Sequence, residues 1–129
     1  MRARIALTKS DTWPLKIAVC LGSFAFLFYI SIPLHEFGHY LAAKIMFVPG
    51  SINLFQVSFG GGGGEFIPSI VTTGLQDKII AFWGGGFVAL ILLILWLVLP
   101  SKRWYISVPL LGTVAWCLVV AGLELAWYF

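Results

Sequence analysis

Three long apolar runs, over residues 15–34, 79–99 and 104–129, confine this chain to a lipid environment. At 1.5 Å per residue each is long enough to cross a ~30 Å hydrocarbon core. In hydrocarbon every backbone N–H and C=O has to be paired within its own segment, so each run is expected to be a helix. Composition agrees, with 60% of the 129 residues hydrophobic and 10% charged, outside the range of a water-soluble domain. The sequence therefore predicts an all-α, multi-pass integral protein of the cell membrane, forming one domain over residues 1–129. Its three transmembrane helices are expected at about 15–47, 79–99 and 104–129. A small β-hairpin and Gly-rich loop over 50–76 is expected between helices one and two.

The net charge of +3 comes from basic residues gathered at the edges of the runs. Arg2, Arg4, Lys9, Lys16, Lys102 and Arg103 fall on the amino-terminal side of the spans, against Lys44 and Lys78 on the other. That pattern reads as a topology signal favouring a cytoplasmic amino terminus, and not as a nucleic-acid surface. The first run follows basic residues as a signal peptide would. It is longer than a signal h-region and has no small-residue cleavage site before the next helical stretch, so a retained span is expected. Cys20 and Cys117 both lie within apolar spans and suggest neither a disulfide nor a CxxC metal site.

Within the first helical stretch the only two histidines of the chain stand four residues apart, in His35-Glu36-Phe37-Gly38-His39. This is the HExxH pattern. On a helix, positions i and i+4 share a face, so two imidazoles can hold one Zn²⁺ while Glu36, one position along, acts as general base on water. Short motifs of this kind also occur by chance on soluble helices. Here the surroundings are apolar, and ionisable groups in hydrocarbon are costly unless something satisfies them, which makes them functional candidates. Pro33, just before the motif, lacks the N–H that would bond the Tyr29 carbonyl. It either opens room beside the metal or is simply tolerated, as prolines in membrane helices are.

A catalytic zinc site takes three protein ligands, and the histidines supply two. If all three runs cross the bilayer, the first and third are parallel. His35 lies 20 residues past Leu15 and Glu124 lies 20 past Trp104, about 30 Å along each helix. Glu124 is the preferred third ligand on this count, with a boundary carboxylate beside Trp127 and Tyr128 as its plain alternative. Asp77 is the second choice and Glu65 the third.

Residues 52–59 alternate with period two, placing Phe55, Val57 and Phe59 on one face of a strand. Gly60 to Gly64 read as a turn, since no GK[ST] follows to make a phosphate loop, and a returning strand is expected over 65–71. In the second span, Trp83-Gly84-Gly85-Gly86 allows close approach of a neighbouring backbone. That close approach serves either helix packing or a path for substrate.

The motif helix His35-Glu36-Phe37-Gly38-His39-Tyr40-Leu41-Ala42-Ala43-Lys44, the Gly-rich β segment after it and the Gly-rich second helix together resemble the site-2 protease family of intramembrane zinc metalloproteases. The resemblance is strongest over residues 27–66 and weaker over 79–99. It implies that His35 and His39 bind zinc, that Glu36 activates water, and that the strand holding Leu54, Phe55, Gln56 and Val57 lies near the substrate, with Gly85 beside its path. The resemblance implies an active site nearer the cytosol, whereas the charge pattern places the motif toward the outer face, so both orientations stay open. Two further departures stand out. The second-helix motif lacks the family's proline and asparagine, and Gly122-Leu123-Glu124-Leu125 stands where the family has an aspartate in a Leu-Asp-Gly motif. Glutamate is itself a zinc ligand in His₂Glu sites. The expected function is zinc-dependent endopeptidase cleavage of membrane-embedded or membrane-proximal protein substrates. The alternative is an inactive pseudoprotease that binds client helices or serves as a regulatory subunit.

Overall fold

The computed structural model describes residues 12–56, 63–68, 73–100 and 102–127. Its elements run α1 (Trp13–Ile45), β1 (Gly50–Gln56), β2 (Gly63–Pro68), α2 (Gly74–Val98) and α3 (Trp104–Trp127). All three helices are long and apolar enough to cross a membrane. Their contacts fix the directions. Along α1 and α2 the partners run in opposite order, with Ala42 and Ala43 beside Ile80, Gly38 beside Trp83, and Leu27 beside Val88, so the two helices are antiparallel. Along α1 and α3 they run together, from Trp13 at Trp104 through Phe28 at Trp116 to His35 at Glu124.

Helix α1 opens with Pro14 in its first turn, where a missing N–H leaves no bond unmade. It runs unbroken through Pro33 and ends at Ile45, two residues before the expected position. The Val48 N–H bonds the Ala43 carbonyl at 2.8 Å and the Phe47 N–H bonds that of Lys44 at 3.1 Å, the paired closure of a Schellman turn. Phe47 occupies the left-handed position of that turn, with φ 57°.

Helix α2 begins at Gly74, five residues ahead of the expected 79, because Thr73 and Gln76 form a capping box. The Gln76 N–H donates to Thr73 Oγ1 at 3.3 Å and the Thr73 N–H to Gln76 Oε1 at 2.9 Å. Two otherwise unpaired donors at the helix start are satisfied in this way. Asp77 thereby falls in the first turn, where the helix dipole favours a carboxylate.

The strands pair antiparallel, with Gly50 opposite Pro68, Asn53 opposite Glu65 and Gln56 opposite Gly63. Between the last two pairs β1 advances one residue more than β2, a bulge at Leu54 and Phe55. The hairpin packs on α1. Val57 and the expected strand end at Phe59 lie outside the described residues.

Two apolar clusters hold the helices together. One joins Leu27, Val88, Leu92, Leu110, Val114 and Cys117 across all three helices. The other joins Ala42, Ala43, Val48 and Ile80 at the hairpin end. The two histidines lie between them on α1, and Gly84 lies between them on α2.

The ends of the bundle carry aromatic and basic residues of the kind that mark membrane boundaries. At one end Trp13 and Trp104 meet edge to face at 5.2 Å. Nearby, the Lys102 ammonium donates to the carbonyls of Trp96, Leu97 and Leu99, closing the last turn of α2. At the hairpin end Lys44 lies over the Tyr40 ring at 5.4 Å. Glu124 is 20 residues beyond Trp104, about 30 Å along α3, which sets it near the hairpin-side boundary.

Candidate metal centre

The helical rise brings His35 and His39 to one face of α1, with ring centroids 4.6 Å apart and planes nearly perpendicular at 87°. Their Nε2 atoms are 3.0 Å apart. Glu124 reaches them from α3, with Oε1 2.9 Å from His35 Nε2 and Oε2 3.8 Å from His39 Nε2. Among the described residues these three form the one His, Cys, Asp or Glu cluster compact enough to hold a metal ion. Both histidine side chains are largely buried and Glu124 is about one-third exposed.

With both rings neutral, this arrangement is short of proton donors. His39 Nδ1 lies 2.6 Å from the Ile80 carbonyl, which can only accept, so the proton of the neutral ring is on Nδ1 and the Nε2 lone pair faces the cluster. The Glu124 carboxylate adds two more acceptors, of which Oε2 is buried with no hydrogen-bond partner. One N–H on His35 Nε2 cannot serve all three. Three side chains thus turn donor atoms toward one point, a set that a bound cation would complete. His35 Nε2 lies 3.0 Å from His39 Nε2 and 2.9 Å from Glu124 Oε1, and His39 Nε2 lies 3.8 Å from the other carboxylate oxygen, separations on either side of the ~3.4 Å edge that bonds of ~2.0–2.1 Å make at tetrahedral angles. The residues present therefore fit a zinc ion. The Ile80 carbonyl is the outer partner that ligating histidines commonly have.

The glycines of α2 divide their tasks. A Cβ built on Gly84 would lie 2.5 Å from His39 Nε2 and 2.8 Å from His35 Nε2, so only glycine leaves the rings their place. Gly38, inside the motif, does the same from the other side, since a Cβ there would meet the Trp83 carbonyl at 2.6 Å. Gly85, expected beside the substrate path, instead packs on α3, where a Cβ would meet the Ala121 N and Cβ at 2.9 Å. Its position is rotated ~100° from Gly84, which turns it from the histidines to the neighbouring helix.

Glu36 and His35 line a cavity of about 190 Å³ between α1 and α3, whose other walls include Phe28, Ile32, Trp116 and Val120. Glu36 thus shares this space with one histidine of the cluster. Asp77 is outside the cluster, about 10 Å along α2 from Gly84. Glu65 lies on β2 opposite Asn53. Leu54, Phe55 and Gln56 lie on β1, and Val57 falls beyond the described residues.

The sequence points to the histidines and Glu124, and to Gly84 only as one of three glycines bringing α2 near the motif helix; it does not point to the Ile80 carbonyl or to the Phe28 and Trp116 walls. Of these last, only Trp116 carries a signal. It is a tryptophan 12 residues past Trp104, about 18 Å into the span and away from the boundaries that tryptophans favour. Comparison of the chain with protein-family models, with curated proteins and with solved structures finds no match.

Proposed function

We propose that the protein is a zinc-dependent intramembrane endopeptidase of the site-2 protease type, a multi-pass protein of the cell membrane that cuts membrane-embedded or membrane-proximal protein substrates. The observation that carries the reading is the meeting of His35, His39 and Glu124 donor atoms from two helices, with Glu36 on the wall of the adjoining cavity. A zinc ion held by these three side chains supplies Lewis-acid polarisation of a peptide carbonyl and acidifies a water.

The chain's own groups do the rest. Glu36 takes a proton from the attacking water as its oxygen bonds the carbonyl carbon, and returns that proton to the amine as the C–N bond breaks. The Ile80 carbonyl holds His39 in the tautomer that keeps Nε2 a donor to metal. A helical substrate has its peptide bonds paired and covered, so the scissile segment has to be extended first. Among the described residues β1 pairs along one edge only, which leaves the other for β-augmentation at Leu54, Phe55 and Gln56. The excess of basic residues at the opposite end orients the hairpin outward.

Chelation tests the reading. Full-length protein reconstituted in bilayers with a single-span substrate is expected to lose cleavage when treated with a zinc chelator and to regain it on addition of Zn²⁺ but not Mg²⁺. Cleavage that persists in zinc-depleted protein would contradict the reading. Absence of cleavage by zinc-loaded protein would favour the client-binding pseudoprotease.

A further inference from the structure

The cavity beside Glu36 has the size and lining of a side-chain subsite. Its volume is about 190 Å³, and an apolar cavity of ~150 Å³ is enough to hold a benzene ring. Phe28, Ile32, Trp116 and Val120 make its walls apolar, and the hydroxyl of the buried Ser31, which also lines it, donates to the Phe28 carbonyl of its own helix at 2.7 Å. Phe28 and Trp116 are in contact at the end away from the motif, with ring centroids 6.4 Å apart. Each is about half exposed, at 52% and 50%, so at this end the cavity is bounded by side chains that also form the outer surface of α1 and α3. Its inner end is made by His35 and Glu36 themselves.

A peptide whose scissile bond lies at Glu36 would therefore place a neighbouring side chain between Ile32 and Val120. We infer that this cavity is the specificity pocket of the enzyme, that it takes one apolar side chain of leucine to phenylalanine size next to the scissile bond, and that substrate enters laterally between α1 and α3. The inference rests on the endopeptidase reading above. An acidic side chain is rejected because it would meet the Glu36 carboxylate and apolar walls that offer it no partner, and glycine or alanine leaves the walls uncontacted.

The test is a peptide library, presented to the full-length protein in detergent, with one position varied over Gly, Ala, Leu, Phe, Trp and Asp within an apolar sequence. Cuts are mapped by mass spectrometry. Wild type is expected to cleave next to leucine or phenylalanine at least about tenfold faster, in kcat/KM, than next to alanine, the scale of discrimination that a few methylenes give an apolar pocket. Val120→Trp fills the cavity and is expected to reduce that ratio to about one, and Val120→Ala enlarges it and is expected to shift preference toward tryptophan. Opposite shifts from the two variants guard against a simple folding defect. Glu36-dependent cleavage by wild type with a preference that neither variant moves would overturn the pocket while leaving the endopeptidase standing. No Glu36-dependent cleavage of any library member would overturn both.

Discussion

Replacing Glu36 by glutamine is expected to reduce proteolysis by about 10²–10⁴-fold, the range general-base catalysis supplies, while bound zinc stays at the wild-type level. The two readouts separate because the roles do. Glutamine keeps the shape of the side chain and so the cavity wall it shares with His35, but it is not basic and cannot take a proton from water. The ligand atoms of His35, His39 and Glu124 are untouched by the change. Parallel measurement of cleavage rate and metal content in the purified variant checks the expectation. Undiminished cleavage would remove Glu36 from the mechanism, and loss of zinc together with activity would give it a structural role instead.

The second large effect is expected at a residue with no functional group. Gly84→Ala puts a methyl 2.5 Å from His39 Nε2 and 2.8 Å from His35 Nε2, closer than nonbonded atoms approach. The His39 ring has little freedom to retreat, since its Nδ1 is tied to the Ile80 carbonyl on the same helix as Gly84. The rings are expected to be pushed apart, with zinc content falling to background and activity with it. Gly122→Ala is the control. It lies two residues from Glu124, but a Cβ there meets nothing within 4 Å. It is expected to keep its zinc and to gain up to about 1 kcal/mol of helix stability. Metal analysis with thermal unfolding of both variants separates loss of the site from loss of the fold. Full zinc occupancy in Gly84→Ala would show that the glycine serves packing alone.

How much of this was legible in the sequence depended on whether a feature has a period. The spans were readable because apolar runs of membrane length have one common solution. The histidine pair was readable because four residues on a helix is one face. Glu124 came within reach because parallel helices entering from one boundary bring equal residue counts to equal depth, so His35 and Glu124 are adjacent despite lying 89 positions apart in the chain. The glycine triplet was opaque. Three identical residues in a row give no phase, so nothing in the sequence told Gly84, under the imidazoles, from Gly85, against α3. The start of α2 was misplaced because the charged pair Asp77 and Lys78 drew the boundary, whereas Thr73 and Gln76 carried the capping signal. The Ile80 carbonyl left no trace, as every residue has one and only packing selects which is used. The cavity walls arise from α1 and α3 meeting, a juxtaposition no local pattern encodes.

The claim on which all of this depends is that the three converging side chains hold a metal ion. Elemental analysis of the full-length protein, purified in detergent without added metal, tests it most directly when wild type is compared with Glu124→Gln. One zinc per chain is expected in wild type and a marked loss in the variant, whose neutral amide is a poor ligand and leaves only the two imidazoles. Wild-type protein without zinc, or a variant with the wild-type stoichiometry, would contradict it.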